Sequence, residues 1–240
     1  MAASRSIFRF KQFQLAHGNP GLKISTEACL FGAWASHWAH GRMLDIGTGS
    51  GLLACMLAQK HPESHIDALE ILPEVAKLAT DNVLTSPFKK QISVQIGDLQ
   101  HYSSDLLYDF IACNPPFFHQ HLAANKKDLQ AAIHDDLLTV QDLAAGIHRL
   151  LGTQGLFAVI YPPFAMEKFI IACRELGLHV NHKAYVFPRE TSAVLRVMAI
   201  GSRVNSTKSQ ENLVIKQADE SYTKVFEKLL SDYYLQFPLH

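Results

Sequence analysis

Hydrophobic positions follow two alternating patterns from about residue 43 onward. Short apolar runs, such as residues 43–47 and 64–70, end at a glycine or an acid, which is typical of buried parallel strands. Each run is followed by a longer segment with apolar residues at helical spacing, at about 50–61 and 73–84. Strands that alternate with helices of this length predict βαβ units and a mostly parallel sheet with right-handed crossovers.

This alternation continues as far as Gly177 and then changes. Further strands are predicted at 91–98, 109–116 and 155–161, and helices around 139–151 and 164–176. Two strands at 178–187 and 192–202 then follow each other without a helix, which favours an antiparallel edge pair. A polar stretch at 203–212 predicts an exposed loop, and an amphipathic helix is predicted at about 221–235. The expected architecture is an α/β, Rossmann-like fold with a mostly parallel seven-stranded sheet and an antiparallel edge pair.

A glycine-rich loop follows the first predicted strand, from Asp45 to Gly51, with the spacing Gly-x-Gly-x-Gly. A dinucleotide-binding loop would need its third glycine at the position of Leu52. Glycines allow the backbone to approach a ligand closely and to turn tightly into a helix. The aspartate two residues before Gly47 would repel phosphates, whereas it suits a cationic ligand with an ammonium and a sulfonium. The loop therefore predicts a site for such a ligand, and an ordinary strand-to-helix turn is the alternative.

Acidic residues follow the next two predicted strands. Glu70 ends its strand where a carboxylate can accept hydrogen bonds from both hydroxyls of a ribose. Asp98 lies just after the following strand and could accept a hydrogen bond from an adenine amine. A solvated strand-end glutamate and a common Gly-Asp turn are the alternatives. With the glycine loop, the two acids predict a nucleoside-bearing ligand at the carboxyl edge of the sheet.

The segment Asn114-Pro115-Pro116-Phe117 comes directly after a predicted buried strand, so it should project into the same crevice. Two consecutive prolines fix the backbone and remove two N–H donors. The Asn114 side-chain oxygen and the Pro115 carbonyl could then accept both hydrogens of a planar amine, and Phe117 offers a face on which a base or an amide could stack. Methylation of an amine depends mostly on positioning and needs no strong general base. The segment predicts amino methylation, with these four residues as the catalytic set.

Composition limits the other possibilities. The chain has 240 residues, 48% of them apolar and 18% charged, so it can bury a large core. The formal net charge is zero, which argues against coating nucleic acid through bulk charge but leaves a local basic patch open. Four scattered cysteines and the lack of an apolar run long enough to cross a bilayer predict a soluble cytoplasmic protein with no membrane anchor. Basic residues that could contact the phosphates of a nucleic acid are Arg5, Arg9, Lys11, Lys89, Lys90, Lys126 and Lys127.

Together with both ends of the chain, these motifs resemble the family of tRNA methyltransferases that modify N6 of adenine 37, beside the anticodon, in the valine tRNA called tRNA1(Val). Residues 8–35 are similar to that family's N-terminal signature, in which a Lys-x-x-Thr-acid run precedes Leu-x-Gly-Ala-Trp. Residues 213–216 and 221–235 are similar to its C-terminal segment. Many amino methyltransferases share the glycine loop and the Asn-Pro-Pro-Phe segment, so the two ends are the specific part of the resemblance.

The resemblance implies a single-domain enzyme with no metal, in which an N-terminal segment at 1–42 covers substrate and cofactor and precedes a Rossmann-like methyltransferase domain at 43–240. The implied substrate is a tRNA, whose flipped adenine enters the pocket formed by Asn114 to Phe117, and the protein is expected to be a monomer. The implied cofactor is S-adenosylmethionine, held by Thr26, Asp45, Gly47, Thr48, Gly49, Glu70, Asp98 and Leu99.

Three positions depart from the family pattern. Glu27 stands where aspartate is usual, Phe117 replaces a frequent tyrosine, and Ile133 stands where an arginine is common. The missing arginine puts a phosphate contact, and with it the exact RNA substrate, in question.

Two other methylation reactions are the alternatives. Protein glutamine N5-methylation and rRNA guanine N2-methylation use the same chemistry. The first usually brings a separate helical domain before the glycine loop, where this chain has only about 42 residues, and the second brings longer additions. A non-catalytic binding module would be expected to lose the Asn114 acceptor. A group at His119, His121, His134, Asp135 and Asp136 has no cysteine partner, and no metal site is predicted there.

Overall fold

A computed structural model describes residues 6–17, 24–115 and 138–238. The strands in these ranges are β1 (Ile7–Arg9), β2 (Gln14–Ala16), β3 (Met43–Ile46), β4 (Ile66–Glu70), β5 (Ile92–Ile96), β6 (Tyr108–Cys113), β7 (Leu151–Tyr161), β8 (His179–Arg189), β9 (Arg196–Ser202) and β10 (Ser209–Lys216). The helices are α1 (Thr26–Ala35), α2 (Leu52–Lys60), α3 (Pro73–Thr85), α4 (Val140–Leu150), α5 (Pro163–Glu175) and α6 (Lys224–Leu230).

The central sheet has the strand order β10-β8-β9-β7-β6-β3-β4-β5. Strands β3 to β7 are mutually parallel, β9 is antiparallel to both of its neighbours, and β8 and β10 again run with the majority. The direction in which successive strands are added to the sheet reverses between β3 and β6. The chain first adds β4 and β5 on one side of β3 and then adds β6 on its other side. In open α/β sheets, the crevice at such a switch point is the usual ligand site.

Alternate residues of the buried strands face opposite layers of helices. Met43 and Ala68 pack in one core cluster with residues of α1, α2 and α6, whereas Leu44 and Leu69 pack in the other with residues of α4 and α5. Because side chains alternate along a strand, a strand covered on both faces is apolar at nearly every position. This accounts for the continuous apolar runs in the sequence and confirms the predicted α/β class.

The sheet departs from the prediction at its far edge, where it has an eighth strand, β10. Its first four residues, Ser209–Asn212, were expected to lie in an exposed loop, but they pair in parallel with β8 from His182 to Tyr185. Their side chains are exposed, because an edge strand can be held by backbone hydrogen bonds without an apolar pattern. As a result, the predicted antiparallel pair, β8 and β9, lies one strand inside the edge. The last helix is also shorter than expected, Lys224–Leu230.

A small hairpin of β1 and β2 packs outside the main sheet and was not predicted. Ile7 is paired with Ala16 in an antiparallel register. The ammonium group of Lys11 donates hydrogen bonds to the backbone carbonyls of Ser231 (2.6 Å) and Phe237 (2.5 Å). The Lys11 side chain, proposed above as a contact to RNA, therefore fastens the hairpin to residues 231–237.

Candidate active site

Three loops of the predicted site meet at the carboxyl edge of the sheet. Ile46, at the end of β3, lies opposite the ends of both β4 and β6. The residues at these three strand ends are Gly47, Glu70 and Asn114. Since neighbouring strands are about 4.8 Å apart, a ligand on the central loop can reach the residues on either side.

The glycine loop adopts a backbone conformation that favours glycine. Gly47, Gly49 and Gly51 have φ values of 68°, 59° and 83°, in the left-handed region that other residues rarely adopt. A Cβ atom added at Gly47 would meet no other atom within 4 Å. The protein itself does not crowd this position, so open space lies beside the loop for a ligand.

Asp45 lies beneath this loop and is only 1% exposed. Its Oδ2 atom accepts hydrogen bonds from the Thr48 hydroxyl (2.6 Å) and from the backbone nitrogen of Ala54 (3.2 Å). Burial raises the pKa of Asp45 to about 7, the neighbouring Glu70 carboxylate adds to this shift, and the two hydrogen bonds oppose it. A buried acid with a raised pKa is stabilised in its charged form by a cation. The site is therefore electrostatically suited to a positively charged ligand.

Glu70 is 4% exposed and connects two loops. Its Oε2 atom accepts from the backbone nitrogen of Gly49 (3.0 Å), and its Oε1 atom accepts from that of Leu72 (3.1 Å). An ionised carboxylate has about four acceptor positions, so it can also accept from the two hydroxyls of a ribose.

Asp98 and Leu99 follow β5 and have different surroundings. The carboxylate of Asp98 accepts from the backbone nitrogen of Gln100 (3.0 Å) and lies 3.0 Å from Nδ1 of His101, with 32% of the side chain exposed. Leu99 is buried, and a Cβ atom added at Gly146 of α4 would lie 2.6 Å from it. Asp98 is accessible to a ligand, while Leu99 anchors the loop against α4.

Asn114 is half-buried, and Pro115 beside it is buried. Among residues 6–17, 24–115 and 138–238, no side chain is hydrogen-bonded to the Asn114 amide. Pro116 and Phe117, the other two residues of the predicted catalytic set, lie outside the described residues, as do Ile133 and the histidine–aspartate group at 119–136.

Similarity to known proteins identifies the family of this chain. A family model described as "Methyltransferase small domain" matches residues 27–142. A protein named tRNA1(Val) (adenine(37)-N6)-methyltransferase from Serratia proteamaculans is 37% identical over 96% of this chain and 90% of its own. One of the same name from Phocaeicola vulgatus is 33% identical over 95% of this chain and 97% of its own. The chain belongs to the tRNA1(Val) (adenine(37)-N6)-methyltransferase family.

A solved structure supports the fold assignment for this family member. A predicted O-methyltransferase from Agrobacterium tumefaciens superposes with a TM-score of 0.64 at 17% identity, over 85% of this chain and 95% of that one. At such low identity the likeness concerns the fold alone.

Thr26, also predicted to bind the cofactor, lies apart from the glycine loop and the other predicted cofactor residues. It is the first residue of α1, next to the capping Ser25, and it lines a hollow with residues of β8 and β10. Glu27 lies beside it, and its carboxylate is 3.8 Å from the guanidinium of Arg196. The structure brings these two residues to the far, β8–β10 part of the carboxyl edge.

Two positioning residues were missed in the sequence. Asn82 of α3 donates to the backbone carbonyl of Ser50 in the glycine loop (2.9 Å) and exchanges two hydrogen bonds with the backbone of Ala16 in β2. Arg149 of α4 donates to the carbonyl of Leu99 (2.5 Å) and holds the loop after β5. Asn82 falls on the apolar face of its helix, and a polar residue at such a position is a signal that can be read from sequence.

All four cysteines are buried free thiols, as expected, and burial raises the pKa of Cys29, Cys55 and Cys173 to about 12. Within residues 6–17, 24–115 and 138–238, no helix is both long and apolar enough to cross a bilayer.

Proposed function

We propose that this protein transfers a methyl group to N6 of adenine 37 in a tRNA of the tRNA1(Val) type. The observation that carries the proposal is the row of Gly47, Glu70 and Asn114 at the ends of three adjacent strands. A cationic nucleoside bound at Gly47 and Glu70 would lie beside a side-chain amide that can orient an amine. The names of the full-length relatives support the choice of tRNA adenine as substrate.

The cofactor is S-adenosylmethionine, which when bound supplies an electrophilic methyl group on a sulfonium. The residues of the site match its parts. The raised pKa of Asp45 fits a ligand with positive charge, and the Glu70 carboxylate has acceptor positions left for ribose hydroxyls. Asp98 is accessible for a hydrogen bond from the adenine amine.

Asn114 is assigned the orienting role in the transfer. Its side-chain oxygen accepts one hydrogen of the target amine and the Pro115 carbonyl accepts the other. These two bonds direct the nitrogen lone pair toward the methyl group. The amine would attack while neutral, the bond between the methyl carbon and the sulfonium would break to leave a neutral thioether, and the extra proton on nitrogen would pass to water, so no strong general base is needed. We further predict that Pro116 completes the rigid turn and that Phe117 stacks on the flipped base.

Residues 1–42 are proposed to cover the cofactor and substrate sites, ahead of the methyltransferase domain at 43–240. Support comes from Asn82, which bonds both to β2 and to Ser50 of the glycine loop, and so links the hairpin to the cofactor loop. A monomeric state and a cytoplasmic location remain predictions.

The decisive experiment is methyl transfer from labelled S-adenosylmethionine to an unmodified tRNA1(Val) transcript. A matched transcript with guanine in place of adenine 37 is the control, and a glutamine-bearing release-factor peptide tests the main alternative. Label recovered as N6-methyladenosine from the first transcript, and lost with the second, is the expected result. Label on the peptide alone would reassign the substrate to a protein.

A further inference from the structure

The hollow that Thr26 lines opens on the carboxyl edge of the sheet, away from the glycine loop. It has a volume of about 290 Å³ and is bounded by the ends of β8 and β10 and by the start of α1. Because β8 and β10 run parallel to the core strands, Arg189 and Lys216 at their ends lie on the same edge as Asn114. Three strand intervals separate β6 from β8, about 14 Å in all. A nucleic acid strand whose base reaches Asn114 is therefore long enough to span the distance to this hollow with a few nucleotides.

The hollow is lined by apolar side chains, by two cations and by one acid, Glu27, which is paired with an arginine outside the hollow. Pro188, Leu195 and Tyr222 supply flat or apolar surface. Arg189 and Lys216 stand beside it, with 46% and 37% of their side chains exposed. Flat apolar surface next to two cations suits a nucleotide, since a base can stack while a phosphate binds the charges.

An acidic side chain already occupies the position between these two cations. The carboxylate of Glu220 is bonded to the guanidinium of Arg189 (2.7 Å from Nε) and lies 3.1 Å from Nζ of Lys216. Glu220 has a φ of 67°, in the left-handed region, and its backbone nitrogen donates to the carbonyl of Gln217. The tight turn thus holds the carboxylate against both cations. Such exposed ion pairs are weak, so another anion can displace the carboxylate.

We propose that this hollow binds a nucleotide that flanks the target nucleotide in the RNA, with its base on the apolar surface and its phosphate between the two cations. In the protein without RNA, the Glu220 carboxylate occupies the position of this phosphate. The inference rests on the proposed tRNA substrate and names the surface that receives it. Of the basic residues singled out in the sequence, the four that the structure describes, Arg9, Lys11, Lys89 and Lys90, do not line the hollow. Arg189 and Lys216 are far apart in the chain, and strand pairing alone brings them together.

Direct binding of an unmodified tRNA1(Val) transcript, followed by fluorescence anisotropy without cofactor over a range of salt concentrations, tests the proposal. The double variant Arg189→Gln, Lys216→Gln removes the cations, and Glu220→Gln removes the competing carboxylate. Lys208→Gln is the matched control, because Lys208 is an exposed lysine that precedes β10 at the opposite edge of the sheet. Thermal unfolding is recorded for every variant.

The double variant is expected to bind roughly tenfold more weakly and to show a shallower salt dependence. Glu220→Gln should bind tighter, by about threefold, and Lys208→Gln should match the wild type. Opposite changes in RNA affinity for the double variant and for Glu220→Gln distinguish a role in binding from damage to the fold. Equal affinities for the double variant and the control would overturn the hollow as a binding site, as would weaker binding by Glu220→Gln. If binding depends on the hollow but adenine is not methylated, the proposed reaction fails and the surface assignment stands.

Discussion

The carboxylate of Glu70 accepts a hydrogen bond from the backbone nitrogen of Gly49, so the acid assigned to the ribose also holds the glycine loop in place. Two functions, binding and loop geometry, therefore depend on one side chain. Substitutions at Glu70 will not behave as the loss of a single ligand contact.

Glu70→Ala should weaken S-adenosylmethionine binding by ten- to a hundredfold, roughly, because the ribose acceptor and the loop support are lost together. The free energy of unfolding should also fall, by about 1–3 kcal/mol, since two backbone N–H groups lose their partner. Isothermal titration calorimetry and urea unfolding measure the two effects. Glu74→Ala, at an exposed glutamate of α3, is the control and should change neither. An unchanged cofactor affinity in Glu70→Ala would refute the ribose assignment.

Cofactor affinity should depend on pH through Asp45. Its pKa is raised from 3.8 to about 7, and a cationic ligand favours the ionised form. Binding should be about tenfold weaker at pH 6 than at pH 8, because only a minor fraction of Asp45 is ionised at the lower pH. The raised pKa of Asp45 has the opposite effect on the free energy of unfolding. Protonated Asp45 contributes its full stabilisation below about pH 4, and this contribution is lost as the pH rises through about 7.

The control for this effect is Asp45→Asn, which removes the titrating group. Its affinity should be lower and nearly independent of pH between 6 and 8. If the variant retains the full pH dependence, another group is responsible.

Asn114→Ala should lower kcat by about a hundredfold or more while leaving the dissociation constant of S-adenosylmethionine nearly unchanged, because the amide orients the amine and does not hold the cofactor. Single-turnover methylation and cofactor titration separate the two. Asn205→Ala, in the exposed loop before β10, serves as the control. A large loss of cofactor affinity in Asn114→Ala would contradict the assignment.

Asn82→Ala should destabilise the protein by about 2–4 kcal/mol, since three hydrogen bonds are lost and buried backbone groups are left without a partner. Residues 6–17 should become susceptible to proteolysis before the rest of the chain. Lys77→Ala, which removes only an exposed pair with Asp81 on the same helix, should stay within about 0.5 kcal/mol of the wild type. Equal protection of the hairpin in both variants would show that Asn82 does not hold it.

The central part of this structure could be predicted from sequence because each of its strands and helices has its own hydrophobic pattern within a short segment of the chain. Asp45 lies near the end of one short apolar run and Glu70 ends the next. Parallel strands necessarily end at one edge, so the proximity of the two acids follows from pattern and topology. The β10 strand could not be predicted, since an edge strand with exposed side chains from Ser209 to Asn212 carries no apolar pattern. The contacts of Asn82 and Lys11 span long stretches of the chain, and nothing in the neighbouring sequence specifies their partners.

The two hydrogen bonds from Lys11 to Ser231 and Phe237 can form only near the end of protein synthesis. On the ribosome the segment that carries Phe8, Phe10 and Phe13 emerges first, whereas Tyr234 and Phe237, which pack against or beside these rings, emerge about 220 residues later. At ordinary rates of translation that interval is roughly ten to forty-five seconds. Through this time Phe8 and Phe10 lack their contacts with Tyr234, so part of the apolar surface of these rings stays exposed to water until synthesis is nearly finished.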